Sequence, residues 1–399
     1  MDAKIIIAIT EGGMSARFDS PQSILTGGGS HRQAPELLAA LHAHHTLLVV
    51  DPYFASADFV SEIRLGLERQ GIANEIFTDF QPDPTDQNVR TGAERFRAAG
   101  ADSVLAIGGG SALDVAKMVA IASTNAGPLS QFQGYHRIPK PGPPLVAMPT
   151  TAGTGSEATK VAVITDTDRN VKMMILDAKL MPTAAIVDYE LSMSMSKPLT
   201  AHVGVDALTH GIEAYVSRKA NLLTDPVALS CITKIHANLR AAWTDPGNAQ
   251  AREAMSLAAL QGGLAFTNSS VCLVHGMSRP LGLLFRLPHG LSNSVLLPTV
   301  TRFSLPGSAR RYAEVARAIG LASDRKSDDS ACEALAEWLD QLNIDLQVPR
   351  LRDCCGGDVE KFRSVLPKMA SDALDSGSPQ NNPVVPAASQ IVELFERAW

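Results

Sequence analysis

The chain has 399 residues, enough for two domains and a large core, and its 45% hydrophobic and 19% charged content describes an ordinary soluble globular protein. A net charge of −6 and a pI near 5.9 give no reason to expect nucleic acid or an anionic membrane as partner. No apolar run approaches the roughly 20 residues of a membrane helix, and the five cysteines show no CxxC spacing, which fits reduced thiols in a cytoplasm.

The N-terminal MDAKIIIAITEGG lacks a basic leader region and reads as a strand. Residues 45–54 read as a strand running into a turn, 56–71 as a helix, 72–80 as a strand and 85–100 as a helix ended by Gly100. Residues 101–111 form a strand that runs into glycines, and 112–124 the helix it feeds. This alternation predicts a parallel, doubly wound sheet. Residues 143–151 make another strand, 161–168 and 170–177 a hairpin, and 184–191 the strand that closes the first half. From 196 onward, helical periodicity rich in Ala and Leu takes over, with Asp225-Pro226 and Asp245-Pro246 as helix starts or turns. Residues 371–386 are the clearest loop, before a last helix over 388–399. The expected architecture is an α/β domain over 1–195 and an all-helical domain over 196–399.

Asp206 and His210 lie four apart in GVDALTHGIEAYVS, so a helix would point a carboxylate and an imidazole the same way. His275 and His289 flank VHGMSRPLGLLFRLPHG and can complete a set from a second helix and its following turn. One carboxylate and three imidazoles suit Fe²⁺ or Zn²⁺ and suit Ca²⁺ or Mg²⁺ poorly. An Asp-x3-His pair alone is weak evidence among ten histidines; the glycines beside His275 and His289 strengthen it by allowing close backbone approach.

GGGS at 108–111 follows an apolar strand and opens a helix, so its N–H groups and the helix terminus can receive a phosphate. It is not GxGxxG, and a plain strand–helix turn is the other reading. PTTAGTGSEAT at 149–159 supplies a second glycine-rich loop, in which Thr150, Thr151 and Thr154 can bond a pyrophosphate or ribose. Asp51, at the end of its strand, can accept from adenosine ribose hydroxyls and would repel a 2′-phosphate, favouring NAD over NADP. A turn aspartate before Pro52 is the alternative.

GGGSALDVAK, PTTAGTGSE, GVDALTHGIEAYVS and HGMSRPLG…PHGLSNSVLLP, in this order, resemble the iron-containing (group III) alcohol dehydrogenase family. The resemblance runs from the strand at 45 to the final ERAW. It implies a doubly wound, Rossmann-like dinucleotide domain, a helical domain, a metal in the cleft between them, and a homodimer or larger assembly. It also implies oxidation of alcohols or reduction of aldehydes and ketones with NAD(P). Carried onto this sequence, the metal ligands are Asp206, His210, His275 and His289. The phosphate loop is Gly108, Gly109, Gly110 and Ser111, completed by Asp114 and Lys117. The second loop is Thr150, Thr151, Thr154 and Thr159, with Val161 just beyond. Lys172 matches a lysine near the cofactor; an exposed hairpin lysine is the other reading. Iron is the metal the family implies, although the ligands also accept Zn²⁺, Ni²⁺ or Co²⁺.

Many members carry a proton-relaying His four residues after the third ligand, where this chain has Arg279. Arginine stays protonated and is a poor shuttle, so a ribose hydroxyl, a water or another side chain must relay. A guanidinium there would pair well with a carboxylate, phosphonate or sulfonate. The expected substrate is therefore an aldehyde bearing an anionic group, such as a semialdehyde or a phosphonoacetaldehyde-like compound. If Arg279 instead pairs with a protein carboxylate, a neutral alcohol or diol is expected. Lys160, opposite Val161 in strand alternation, is expected to be solvated. A dehydroquinate-synthase-like lyase is the alternative activity. It would require a gathering of basic residues that the chain does not show.

Overall fold

Parallel strands require a crossover between each pair, and short helices of the first half supply them. The structure is a computed structural model that describes residues 16–399, so the strand expected at the N-terminus lies outside the described residues. Its first half contains β1 (Ser23–Thr26), α1 (Ala34–Ala40), β2 (His45–Val50), α2 (Asp58–Arg69), β3 (Ala73–Phe77), α3 (Asp86–Ala99), β4 (Ser103–Gly108), α4 (Gly110–Thr124), β5 (Gly134–Tyr135), β6 (Leu145–Pro149), β7 (Val161–Asp166), β8 (Val171–Leu176) and β9 (Ala184–Val187). Six strands form one sheet in the order β1-β9-β6-β4-β2-β3, parallel throughout. Every residue of β4 and β6 is buried, as expected of central strands covered on both faces. The expected hairpin is present: β7 and β8 pair antiparallel, and β5 extends them into a small second sheet.

The second half is helical: α5 (Lys197–Val216), α6 (Asp225–Thr244), α7 (Ala249–Asn268), α8 (Leu273–Phe285), α9 (His289–Ser304), α10 (Ala309–Ala318), α11 (Asp328–Asp345), α12 (Leu351–Cys354), α13 (Val359–Asp375) and α14 (Ala388–Ala398). Ser196 caps α5 by accepting from Leu199 N, and Pro198 sits in its first turn, where a missing N–H costs nothing. From Gly204 to Val216 every residue of α5 is buried, so α5 is the axis about which α6, α7 and α9 pack. Among the described residues no single helix is long and apolar enough to cross a membrane.

Two regions depart from the sequence expectation. The segment 371–386 is not all loop, because α13 continues to Asp375 and a 3-10 turn covers Ser378–Asn381. Its Ala373 continues the buried stripe of α13, and Gly377, at φ 74°, makes the turn that follows the helix. The strand expected over 184–191 stops at Val187, where Asp188 accepts from Glu190 N and turns the chain.

Candidate active site

The helical half brings four ligand side chains together from three helices. Asp206 and His210 occupy successive turns of α5, His275 lies in the first turn of α8, and His289 is the first residue of α9. Arg286, in the left-handed region at φ 56°, turns the chain between α8 and α9. Asp206 Oδ1 is 3.9 Å from His210 Nε2, 3.8 Å from His275 Nε2 and 3.7 Å from His289 Nε2. One ligand atom from each of the four lies within 4.8 Å of the others. Donors held about 2.1 Å from a common ion are about 3 to 4 Å apart, so the set fits a transition metal. Asp206, His210 and His275 are buried, while the His289 side chain is 47% exposed and marks the open side.

Burial, and then the neighbouring His210 and His289, hold His275 well below the usual imidazole range, so it offers a lone pair. Its other nitrogen faces Glu213, seven residues after Asp206 on the same stripe of α5. Glu213 Oε2 accepts from His275 Nδ1 at 2.7 Å and Cys272 N at 2.8 Å, and Oε1 accepts from Val274 N at 2.7 Å. One carboxylate therefore satisfies free amides at the start of α8 and fixes the ring of His275. Asn293, four after His289, donates its amide to Asp206 Oδ1 at 2.6 Å and lies 3.1 Å from His275 Nε2 and 3.2 Å from His289 Nε2. The ligand lone pairs thus converge on an electropositive atom, which is the chemistry of a cation site. The sequence reading passed over both residues. Their signal was the i+7 spacing of Glu213 from Asp206 and the i+4 spacing of Asn293 from His289.

The α/β half brings its two loops together at the carboxyl ends of β4 and β6. Gly108 ends β4, Gly109 caps α4, and Gly110 and Ser111 open that helix. Thr150 N donates to Gly108 O at 3.0 Å, and a Cβ added to Gly110 would come within 3.0 Å of Thr154 Cγ2. Thr151 stands over Gly109 at 3.4 Å by the same measure. Asp51 follows β2 beside Gly108, with Oδ1 accepting from Tyr53 N at 3.0 Å. This crevice in the middle of a doubly wound sheet is where such folds receive ligands.

Asp114, Thr159 and Val161 lie behind that crevice. Asp114 accepts from Ser156 Oγ and Val163 N, each at 2.9 Å. The buried Lys117 donates to Ser156 Oγ, Thr159 Oγ1 and Val161 O at 2.9 Å and to Thr159 O at 3.0 Å. Their polar atoms brace the second loop against α4. Burial pulls the Lys117 ammonium down to about 8 against the pull of Asp114 and Glu157. Lys172 projects from β8 toward α8, within 3.5 Å of where a Cβ on Gly282 would stand, and pairs with Asp83 at 2.6 Å. Lys160 is only partly exposed, because it pairs with Asp19 at 2.5 Å.

Arg279 sits one turn beyond His275, half-buried. It donates to Ser376 O at 3.4 Å and contacts Met174 Sδ at 3.1 Å. Burial lowers its pKa, opposed by Tyr135 and Glu213, yet arginine stays charged. Among the described residues it forms no salt bridge with a carboxylate.

Comparison with known proteins matches residues 21–189 to the family described as "Iron-containing alcohol dehydrogenase" and 200–399 to "Fe-containing alcohol dehydrogenase family, C-terminal". The chain is 35% identical over 385 residues to the NAD-dependent methanol dehydrogenase of Bacillus methanolicus, covering 96% of this chain and 100% of that one. Among solved structures, a 1,3-propanediol oxidoreductase superposes with a TM-score of 0.93 at 35% identity, covering 96% of this chain and 100% of that one. A sulfoacetaldehyde reductase from Bifidobacterium kashiwanohense in complex with NAD+ superposes at 0.84 with 28% identity, covering 97% and 99%. With both family segments matched in order and a relative spanned over its full length, the chain belongs to the iron-containing alcohol dehydrogenase family.

Proposed function

We propose that this enzyme is an iron-dependent, NAD-linked oxidoreductase that interconverts a small alcohol and its aldehyde, and that the aldehyde carries an anionic group. Asp206, His210, His275 and His289 are the residues that would hold the iron, and Glu213 orients His275. When bound, the iron supplies Lewis acidity toward the substrate oxygen during hydride exchange with the nicotinamide. The N–H groups at the start of α4, over Gly109–Ser111, and the neighbouring hydroxyls of Thr151 and Thr154 are the groups that would take the pyrophosphate. Asp51 accepts from the adenosine ribose and disfavours a 2′-phosphate, so NAD is the cofactor. The open side of the ligand set, at His289, is the way in for substrate.

One observation carries the substrate class. Arg279 keeps a charged guanidinium one turn from His275, with a carbonyl and a thioether as its partners. A half-buried cation so placed gains from a carboxylate, sulfonate or phosphonate on the substrate. Relatives range from a methanol dehydrogenase to a lactaldehyde reductase and a sulfoacetaldehyde reductase, so the scaffold accommodates both kinds of substrate. Reduced thiols, with every described cysteine free, support a cytoplasmic setting. We place the domain boundary at 195/196 and the working unit as a homodimer or larger.

The test is anaerobic NADH oxidation by protein stripped of metal and reloaded with Fe²⁺, offered neutral and anionic aldehydes of matched length. Iron-dependent turnover favouring the anionic member is expected. Preference for the neutral member would remove the anion pocket and keep the reductase. Oxidation of NADH with neither would overturn the assigned reaction.

A further inference from the structure

Hydride transfer demands that nicotinamide and metal-side substrate be held about 3 to 3.5 Å apart, and an error of about 1 Å costs on the order of 100-fold in rate. The two sites belong to different halves of the chain, so something must set their separation. In this fold the loop after β6 abuts α5, which carries two of the four ligand residues, and α7, which packs against α5. A Cβ added to Gly153 would lie 2.5 Å from Val203 Cβ and 2.9 Å from Val203 O, one turn before Asp206 on α5. Gly155 adopts φ +61°, and its added Cβ would meet Gly263 Cα at 2.6 Å and Ala259 O at 2.7 Å on α7. The contact is reciprocal, for a Cβ on Gly263 would reach Gly155 O at 2.4 Å. The preceding residue faces the other way: a Cβ on Gly262 would lie 3.3 Å from His210 Cβ and 3.4 Å from Ala207 O. Consecutive glycines of α7 thus rest one on the cofactor loop and the other on the helix that presents two metal ligands.

We propose that the Gly262-Gly263 pair is the spacer that sets the distance between cofactor and metal, with Gly263 a positioning residue for the cofactor loop and Gly262 for His210. The proposal rests on the reading that the 150–155 loop holds the dinucleotide and that the four ligands hold iron. At Gly263 the contact is backbone against backbone, with no rotamer through which to relax, so a methyl there must move the loop; at Gly262 a methyl would press His210 by a few tenths of an ångström.

Gly263→Ala lifts the loop from α7 and leaves the contact of Gly262 with His210 as it is. Its metal content should equal that of the wild type. Its NAD dissociation constant, read by fluorescence titration of metal-free protein, should rise roughly tenfold, and kcat should fall roughly tenfold or more. The primary deuterium isotope effect on kcat should increase as hydride transfer becomes the slow step. Gly262→Ala should do the reverse, weakening metal retention while metal-free NAD affinity stays at the wild-type value. Should Gly263→Ala fail to fold, Gly262→Ala, whose added methyl meets nothing nearer than 3.3 Å, carries the test through its metal retention. Wild-type NAD affinity and isotope effect in Gly263→Ala, or loss of its metal with NAD affinity intact, would overturn the spacer. In the absence of the Gly263 variant, wild-type metal retention in Gly262→Ala does so. A wild type that binds NAD but transfers no hydride counts against the proposed reaction, and the binding titrations still decide the spacer.

Discussion

Arg279 differs from the cations around it. Lys172 is tied to Asp83 and Lys160 to Asp19, whereas Arg279 meets a carbonyl and a thioether. A charge-assisted bond contributes about 1.5 to 3 kcal/mol, so Arg279→Leu should raise KM for an anionic aldehyde by about 10- to 100-fold and leave its neutral analogue nearly unchanged. Equal losses on both would sink the anion pocket. Glu213 acts through His275, and Glu213→Gln should weaken iron binding by about 10- to 100-fold, measured by chelator competition while circular dichroism reports an intact fold. Undiminished affinity would leave Glu213 as a helix cap and nothing more. The clustering of Asp206, His210, His275 and His289 was legible because an i, i+4 pair and two glycine-flanked histidines are unusual. Glu213 and Asn293 were not, since a helix glutamate reads as a surface charge until its burial is known.

At the scale of elements, the strand β4, the turn at Gly108 and the helix α4 were legible from one apolar run ending in glycines. The brace behind them was not. Spacing shows that Asp114, Lys117 and Thr159 accompany the loop, but only the fold shows that their polar atoms bond one another. Glu157 sits in this brace with Oε2 unpartnered, and burial pushes its carboxyl up to about 7 despite Lys117. The folded state therefore prefers the protonated acid, and the wild type loses stability as pH rises from 4.5 to about 7. Glu157→Gln should gain on the wild type across that window, in urea denaturation at about pH 5 and about pH 8. A difference independent of pH would show that Glu157 does not titrate there.

At the scale of the whole molecule, the alternation of strands and helices, then helices alone, was enough to place a doubly wound sheet before a helical half. The edge strand β1 was not legible: it is four residues long and pairs with β9 from the far end of the same half. The four candidate ligands come from α5, α8 and α9, so an ion bound there would tie three helices together. A ligand at 100 times its dissociation constant adds about 2.7 kcal/mol to stability. Stripping with a chelator should lower Tm, and returning Fe²⁺ should restore it in the wild type but not in Asp206→Asn. A Tm indifferent to chelation would contradict the clamp.

The claim on which the rest depends is that this ligand set, beside the two glycine-rich loops, holds the metal for NAD-linked hydride transfer. It is tested most directly by titrating Fe²⁺ into the stripped protein while following NADH oxidation at saturating aldehyde, with Asp206→Asn alongside. The wild-type rate should climb from background to a plateau near one ion per chain, and the variant should stay at background. Full activity in stripped wild type, or an iron response in Asp206→Asn equal to that of the wild type, would contradict the account.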